Sequence, residues 1–224
     1  MSTPLTDRER YWGMGYALVE FFLLPSLLRM ANSFLQLPGW ALNAIAFTIN
    51  FLCLCLIFHR FLLGCLQTAF RHVGKTLLFT LVGLLAHYAA TGLLTYGILT
   101  LYPDYVNLND NSVAASLADG GIWFAVATVF FVPVSEELLF RGLLFRGLYS
   151  RSAFLAWSVS TAAFAGIHIL GYIGLYDTPM LLVAFLQYIP AGLCLAFAYR
   201  KSGTILAPIL MHTVINLIAI TVVL

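Results

Sequence analysis

The chain has 224 residues, 62% of them hydrophobic and 9% charged, with a mean hydropathy of +0.95. A soluble domain carries about 25% charged residues and a disordered segment is poor in apolar ones, so both are excluded. A net charge of +2 with Lys and Arg dispersed along the chain excludes nucleic acid as a partner and leaves the lipid bilayer as the solvent the surface is made for.

In chain order, seven apolar stretches stand out: Tyr11–Phe34, Trp40–Leu63, Thr76–Tyr102, Ile122–Leu148, Ser152–Leu170, Pro179–Tyr199 and Thr204–Leu224. Each is long enough to cross ~30 Å of hydrocarbon at ~1.5 Å per residue. The first follows the charged start Asp7-Arg8-Glu9-Arg10, is too long for a signal-peptide core and is expected to remain as an uncleaved span. Segment 64–75 has a basic face and is expected either as a short helix on the inner interface or as a hydrated loop. The loop 103–120 is the only extended polar segment. The expected fold is therefore all-α: a polytopic membrane helix bundle of about seven transmembrane helices. It forms one integral membrane domain over 1–224, with accessory spans in 11–102 and a catalytic core in about 122–224. Cys53, Cys55, Cys65 and Cys194 form no Cys-x-x-Cys pair, and neither a disulfide nor a metal site is read from them.

The connections set the orientation. Arg8 and Arg10 precede span one; Arg60, Arg71 and Lys75 lie between spans two and three; Arg146 and Arg151 surround the turn after span four; Arg200 and Lys201 lie between spans six and seven. The alternate connections hold Asp104, Asp110, Asp119 and Asp177 instead. Because Lys and Arg accumulate on the cytoplasmic side, the N-terminus is expected inside and the C-terminus outside. Arg29, late in span one, falls on the other side; either it snorkels to the outer interface or the first span is shorter than this stretch.

The informative residues are the ionisable groups within spans. A charge at mid-membrane costs roughly 2.5–3.5 kcal/mol, so Glu136, Glu137 and Arg141 in span four would cost roughly 7–10 kcal/mol unpaired. Glu137 and Arg141 are spaced i,i+4 and can meet on one helix face, whereas Glu136 points about 100° away. One carboxylate is thus held by the arginine and the other is left for chemistry. Span five carries His168; span seven carries His212 and Asn216, which at i,i+4 share a face. If spans four and five form a hairpin turning at Arg151, Glu136 and His168 lie ~23 and ~26 Å from the turn, level to within one helical turn. His212 joins them if that turn protrudes ~10 Å into the cytosol, so a shared site would open inward.

The motifs Glu-Glu-x-x-x-Arg (136–141), Phe-x-x-x-His (164–168) and His-x-x-x-Asn (212–216), each in its own span and in that order, resemble the CPBP family. That family holds the CAAX prenyl proteases and the bacterial bacteriocin-processing, or Abi, proteins. The resemblance covers roughly Phe131–Asn216. It implies an intramembrane endopeptidase acting on a membrane-associated peptide or lipidated protein, with Glu136, His168, His212 and Asn216 around one cavity. A desolvated carboxylate suits a general base. Glu136 and His168 would activate a water, His212 and Asn216 would stabilise the oxyanion, and Glu137 with Arg141 would support them. Two histidines and a glutamate (Glu136, His168, His212) are also an acceptable ligand set for one divalent metal such as zinc. The chain lacks the His-Glu-x-x-His helix of common zinc proteases, so a metal-free site is the preferred expectation and a metal the open alternative.

Other polar residues are read more plainly. Glu20 in span one needs a partner or a proton, and His87 in span three is expected to be structural. His59 and His72 are expected at the interface. Gln187 and Pro190 are expected to line or bend the cavity wall, and Gly192 to permit close helix packing. Two rival functions fit the same residues: a small transporter, for which no internal symmetry is found, and a non-catalytic bacteriocin-immunity or secretion-partner protein. Short loops and small size point to a multi-pass protein of a bacterial cell membrane.

Overall fold

The computed structural model describes residues 3–223, so the end of the seventh stretch, Leu224, lies outside the described residues. Among the described residues there are eight helices and no strand: α1 (Asp7–Leu35), α2 (Gly39–Ile57), α3 (His59–Arg71), α4 (Val73–Leu101), α5 (Leu108–Tyr149), α6 (Ala153–Leu170), α7 (Thr178–Ser202) and α8 (Leu206–Val223). Six of them (α1, α2, α4, α5, α6 and α7) are long and apolar enough to cross a membrane, and α8 is a shorter apolar helix. The all-α polytopic bundle is as expected. Its outer surface presents large apolar side chains such as Phe34, Leu93, Tyr96, Phe154 and Val222, a surface that water would oppose and lipid accepts.

Two elements differ from the sequence reading. The second stretch was expected to run through Leu63, but α2 stops at Ile57. Phe58 leaves helical geometry (φ −97°, ψ 21°) and the chain restarts as α3. The physical reason is Glu9. Its Oε1 accepts from the Phe61 backbone N–H at 2.7 Å, capping the first turn of α3, while its Oε2 accepts from the Thr6 N–H and hydroxyl. A buried carboxylate satisfying orphan N–H groups at two helix starts is favourable there. Segment 64–75, expected as helix or loop, is helical as far as Arg71. The polar segment 103–120 is mostly helix as well: α5 begins at Leu108 because the Asn107 side chain accepts from the Asn109 and Asp110 N–H groups. The helix bends where this lead-in meets the apolar span, at Gly121 (φ 53°, ψ −139°), a conformation that a residue with a Cβ avoids.

Three π-helical turns interrupt the spans: Val19–Leu23 in α1, and Ala127–Phe131 and Leu138–Phe145 in α5. The first two each end two residues before a proline, Pro25 and Pro133. Proline removes the N–H that would close the preceding turn, so a widened turn is a local response. Glu20 sits within the first of these, and Glu136 and Glu137 lie between the other two. Helix α7 runs between α4 and α6, and α8 closes the bundle against α4, α5 and α7. Close approach is made where side chains are small: a Cβ on Gly192 would lie 3.2 Å from the Thr161 Cα. One core cluster, with Leu54, Phe58, Phe61, Phe145, Tyr199 and Ile205, ties α2, α3, α5, α7 and the start of α8 together.

Candidate functional site

The site is built outward from Arg141. The guanidinium is wholly buried. Its Nη1 donates to Glu137 Oε1 at 3.0 Å, its Nη2 donates to the Gly192 carbonyl of α7 at 3.0 Å, and its plane lies 4.3 Å from the centroid of the Phe164 ring of α6. The i,i+4 pair expected from the sequence is thus present, and the same arginine fastens α5 to two other helices. The α5–α6 register agrees with the hairpin expectation: Ser160 Oγ donates to the Phe140 carbonyl at 2.8 Å, and the Phe140 and Phe164 rings meet at 5.8 Å.

His212 of α8 bridges the two glutamates. Its Nδ1 lies 3.0 Å from Glu137 Oε1, and its Nε2 lies 4.0 Å from Glu136 Oε2. With a carboxylate already accepting from Arg141 as partner, Nδ1 carries the hydrogen and Nε2 faces Glu136. Motif spacing alone does not show this link, because it joins residues 75 positions apart. Asn216, one turn along α8, donates Nδ2–H to the Thr128 carbonyl at 2.9 Å, on one of the π turns of α5. An amide nitrogen has two hydrogens, so one remains for another acceptor.

His168 sits beside this group rather than against Glu136. Its Nδ1 is 2.8 Å from the Phe164 carbonyl of its own helix, its ring stacks on Tyr188 at 4.0 Å, and Phe164 stands between it and His212, in ring contact with both. The carbonyl partner places the hydrogen on Nδ1 and leaves Nε2 as an acceptor. Glu136, Glu137, His212 and Arg141 are therefore brought together directly, while His168 and Asn216 join through Phe164 and Thr128. Among the described residues no group of three or more His, Cys, Asp or Glu is arranged to hold a metal ion.

Several buried polar atoms have no partner, among them Glu136 Oε2, Glu137 Oε2 and Glu20 Oε2. Buried oxygens without partners are rare in folded proteins and mark places where a substrate or water belongs. Some contributors were not singled out from the sequence. Tyr188 shapes the His168 side, and Asn50, a polar residue inside an apolar stretch, donates to Glu20 Oε1 at 3.1 Å. Gln187, expected on the cavity wall, is used elsewhere. Its Oε1 accepts from Tyr105 and Asn107, both at 2.8 Å, and anchors the connection between α4 and α5. His87 is buried and pairs with Thr91 at 3.3 Å.

A cavity of about 710 Å³ lies between the first half of α1 and the second half of α5. Arg10, Arg146 and Arg151 line one end; Ala17, Phe21, Leu139, Phe140 and Leu143 line the rest. Leu139, Phe140 and Leu143 follow Glu136 along α5, within the π turn Leu138–Phe145.

Residues 118–218 match the family model described as type II CAAX prenyl endopeptidase Rce1-like. The match is to the CPBP/CAAX protease family that the three motifs resemble, and it takes in all of the residues just described except those of α1, α2, α4 and the connection from α4 to α5. At the family level it supports protease activity toward a peptide or protein in a membrane setting. No curated protein and no solved structure matches the chain.

Proposed function

We propose that this chain is an intramembrane endopeptidase that hydrolyses a peptide bond of a membrane-associated peptide or lipidated protein, with Glu136 as general base. The observation that carries the reading is the hydrogen bond of His212 to Glu137 inside the family-matched segment, which leaves Glu136 Oε2, 4.0 Å from His212 Nε2, without a hydrogen-bond partner of its own. Arg141 fixes Glu137, Glu137 fixes His212, and Glu136 remains the one carboxylate of the pair not committed to the arginine.

The steps follow from these positions. A water held by Glu136, with His168 Nε2 as a second acceptor, gives its proton to Glu136 as its oxygen attacks the peptide carbonyl carbon. The resulting oxyanion is met by the second Nδ2–H of Asn216 and by His212, whose Nε2 donates to it once that nitrogen holds a proton. When the tetrahedral intermediate collapses, the C–N bond breaks and the proton on Glu136 passes to the leaving amine. Two products, an acid and an amine, leave with the base restored. The bundle end bearing Arg10, Arg146 and Arg151 is the cytoplasmic opening.

Glu136→Gln keeps the side chain's shape and removes the base. With a prenylated CAAX peptide as probe, its turnover should fall by about 10²–10⁴-fold while the peptide still binds. Cleavage by Glu136→Gln at the wild-type rate overturns the proposal.

A further inference from the structure

Helix α1 lies outside the family-matched segment, yet it brings a third carboxylate to the site. Glu20 stands in the π turn Val19–Leu23, the kind of widened turn that recurs at functional positions. Its Oε1 accepts from Asn50 Nδ2 at 3.1 Å, and Asn50 Oδ1 in turn accepts from the Tyr16 hydroxyl at 2.8 Å. Its other oxygen is buried with no partner. The neighbouring Phe21 meets Phe140, one turn beyond Glu136, with ring centroids 6.4 Å apart, and Glu20 lies within electrostatic reach of Glu136.

An unmade hydrogen bond in a buried place costs about 1–3 kcal/mol, so a free buried oxygen is a place for a further donor. Here one oxygen is clamped by a two-residue relay and the other is left without a hydrogen-bond partner. The cavity between α1 and α5 reaches the neighbouring residue, Phe21. Arg10, Met14, Ala17 and Phe21 line its α1 wall and Leu139, Phe140 and Leu143 its α5 wall. The two walls lead from the arginine end to Phe21 and Phe140, whose rings meet there, with Glu20 next to Phe21 in the chain and Glu136 one turn before Phe140. An apolar channel with one hydrogen-bond acceptor beside the general base suits an extended chain, whose side chains need apolar walls and whose backbone N–H needs an acceptor.

We propose that Glu20 is a substrate-binding residue: an extended substrate segment enters through the cavity between α1 and α5, parts the Phe21 and Phe140 rings at its inner end, and donates a backbone N–H to the free Oε2 of Glu20, which so registers the scissile bond against Glu136. The proposal rests on the protease reading above. The accessory spans then form the second wall of the substrate channel, and the relay Tyr16–Asn50–Glu20 belongs to recognition rather than to the bond-breaking step. A carboxyl oxygen accepts in either protonation state. Glutamine offers the substrate its one amide oxygen when the Asn50 amide turns over, so that Asn50 Oδ1 accepts from the glutamine Nε2 and Asn50 Nδ2 donates to the Tyr16 hydroxyl.

The test is a binding measurement in the catalytically silent Glu136→Gln protein, full length in detergent, with a fluorescently labelled prenylated CAAX peptide followed by anisotropy. Adding Glu20→Ala should weaken binding about tenfold, and Glu20→Gln should restore it to within about threefold of the parent. Ala17→Phe, which fills the channel one turn nearer the arginine end and leaves the relay intact, should weaken binding at least as much as Glu20→Ala. In the otherwise wild-type protein, Glu20→Ala should raise KM about tenfold with kcat within about threefold. Parental affinity in Glu20→Ala or in Ala17→Phe overturns the proposal, as does Glu20→Gln binding as weakly as Glu20→Ala, and so does a parent protein that binds no peptide. Failure of the protease reading shows separately, as Glu136→Gln that still cleaves.

Discussion

Arg141 spends one guanidinium on three elements: Glu137 on its own helix, the Gly192 carbonyl on α7 and the Phe164 ring on α6. Removing one partner of a buried pair leaves an uncompensated charge and costs about 3–5 kcal/mol. Arg141→Ala should therefore reduce folded yield and detergent thermal stability more than Glu136→Ala does, because Glu136 holds no such pair; equal losses in a thermal-unfolding assay would contradict this division of the two glutamates. Arg141→Lys should fall between, since an ammonium keeps the charge but cannot present the planar fork that reaches Glu137 and the carbonyl together. The Glu137–Arg141 contact was legible in the sequence because i,i+4 spacing on a helix is enough to imply it. The Glu137–His212 contact was not, since it depends on how α8 rotates against α5. The same holds for Glu9: its place in a charged run suggested a hydrated start, and only the fold reveals it as the cap of α3.

At the scale of helices, contact geometry separates two glycines that composition treats alike. A Cβ on Gly192 would lie 2.7 Å from Thr161 Cγ2 and 3.2 Å from the Thr161 Cα, so the backbone of α6 has to give. A Cβ on Gly83 would meet the Met211 Sδ at 2.7 Å, and its other neighbours stand at 3.5 Å or more; a thioether can move aside. Gly192→Ala should lower stability by about 1–3 kcal/mol, the usual cost of overpacking, and Gly83→Ala by clearly less, as read from thermal unfolding in detergent. Because the Gly192 carbonyl also receives Arg141, the first substitution should lower peptidase activity too. Gly192 was read from the sequence as a packing residue, and its close approach to Thr161 bears that out. The apolar stretches were legible to within a few residues, since long hydrophobic runs permit little else. The break at Phe58 and the helix over 108–120 were not: one depends on a carboxylate from α1, the other on a single asparagine cap in a polar segment.

For the whole molecule, the question is which ends face which side. Helix α3 has 13 residues, about 20 Å of helix, too short for ~30 Å of hydrocarbon. Its ends carry His59, Arg60 and Arg71, and its buried face, Phe61 and Cys65, packs into the bundle core. It is expected to lie along the inner interface rather than to cross. Helix α8 has 18 residues, about 27 Å, and carries His212 and Asn216, which contact α5, so it is expected to cross. With the six helices long and apolar enough to span, that predicts seven crossings, an odd number that would put the two ends of the chain on opposite sides. Arg29 is consistent with this: it is exposed and lies six residues before the end of α1, about 9 Å along the axis, within reach of the outer interface for a snorkelling side chain. Reporters inserted after His72, Arg151 and Gly203 should read cytoplasmic, those after Leu37, Tyr105 and Gly174 extracytoplasmic, and one fused after the C-terminus extracytoplasmic. A cytoplasmic reading at the C-terminus together with an extracytoplasmic one after Gly174 would mean that α8 turns back within the membrane. The Asn216–Thr128 and His212–Glu137 contacts would then have to form without a spanning helix, and the inward-opening site argued from those contacts would be lost with the topology.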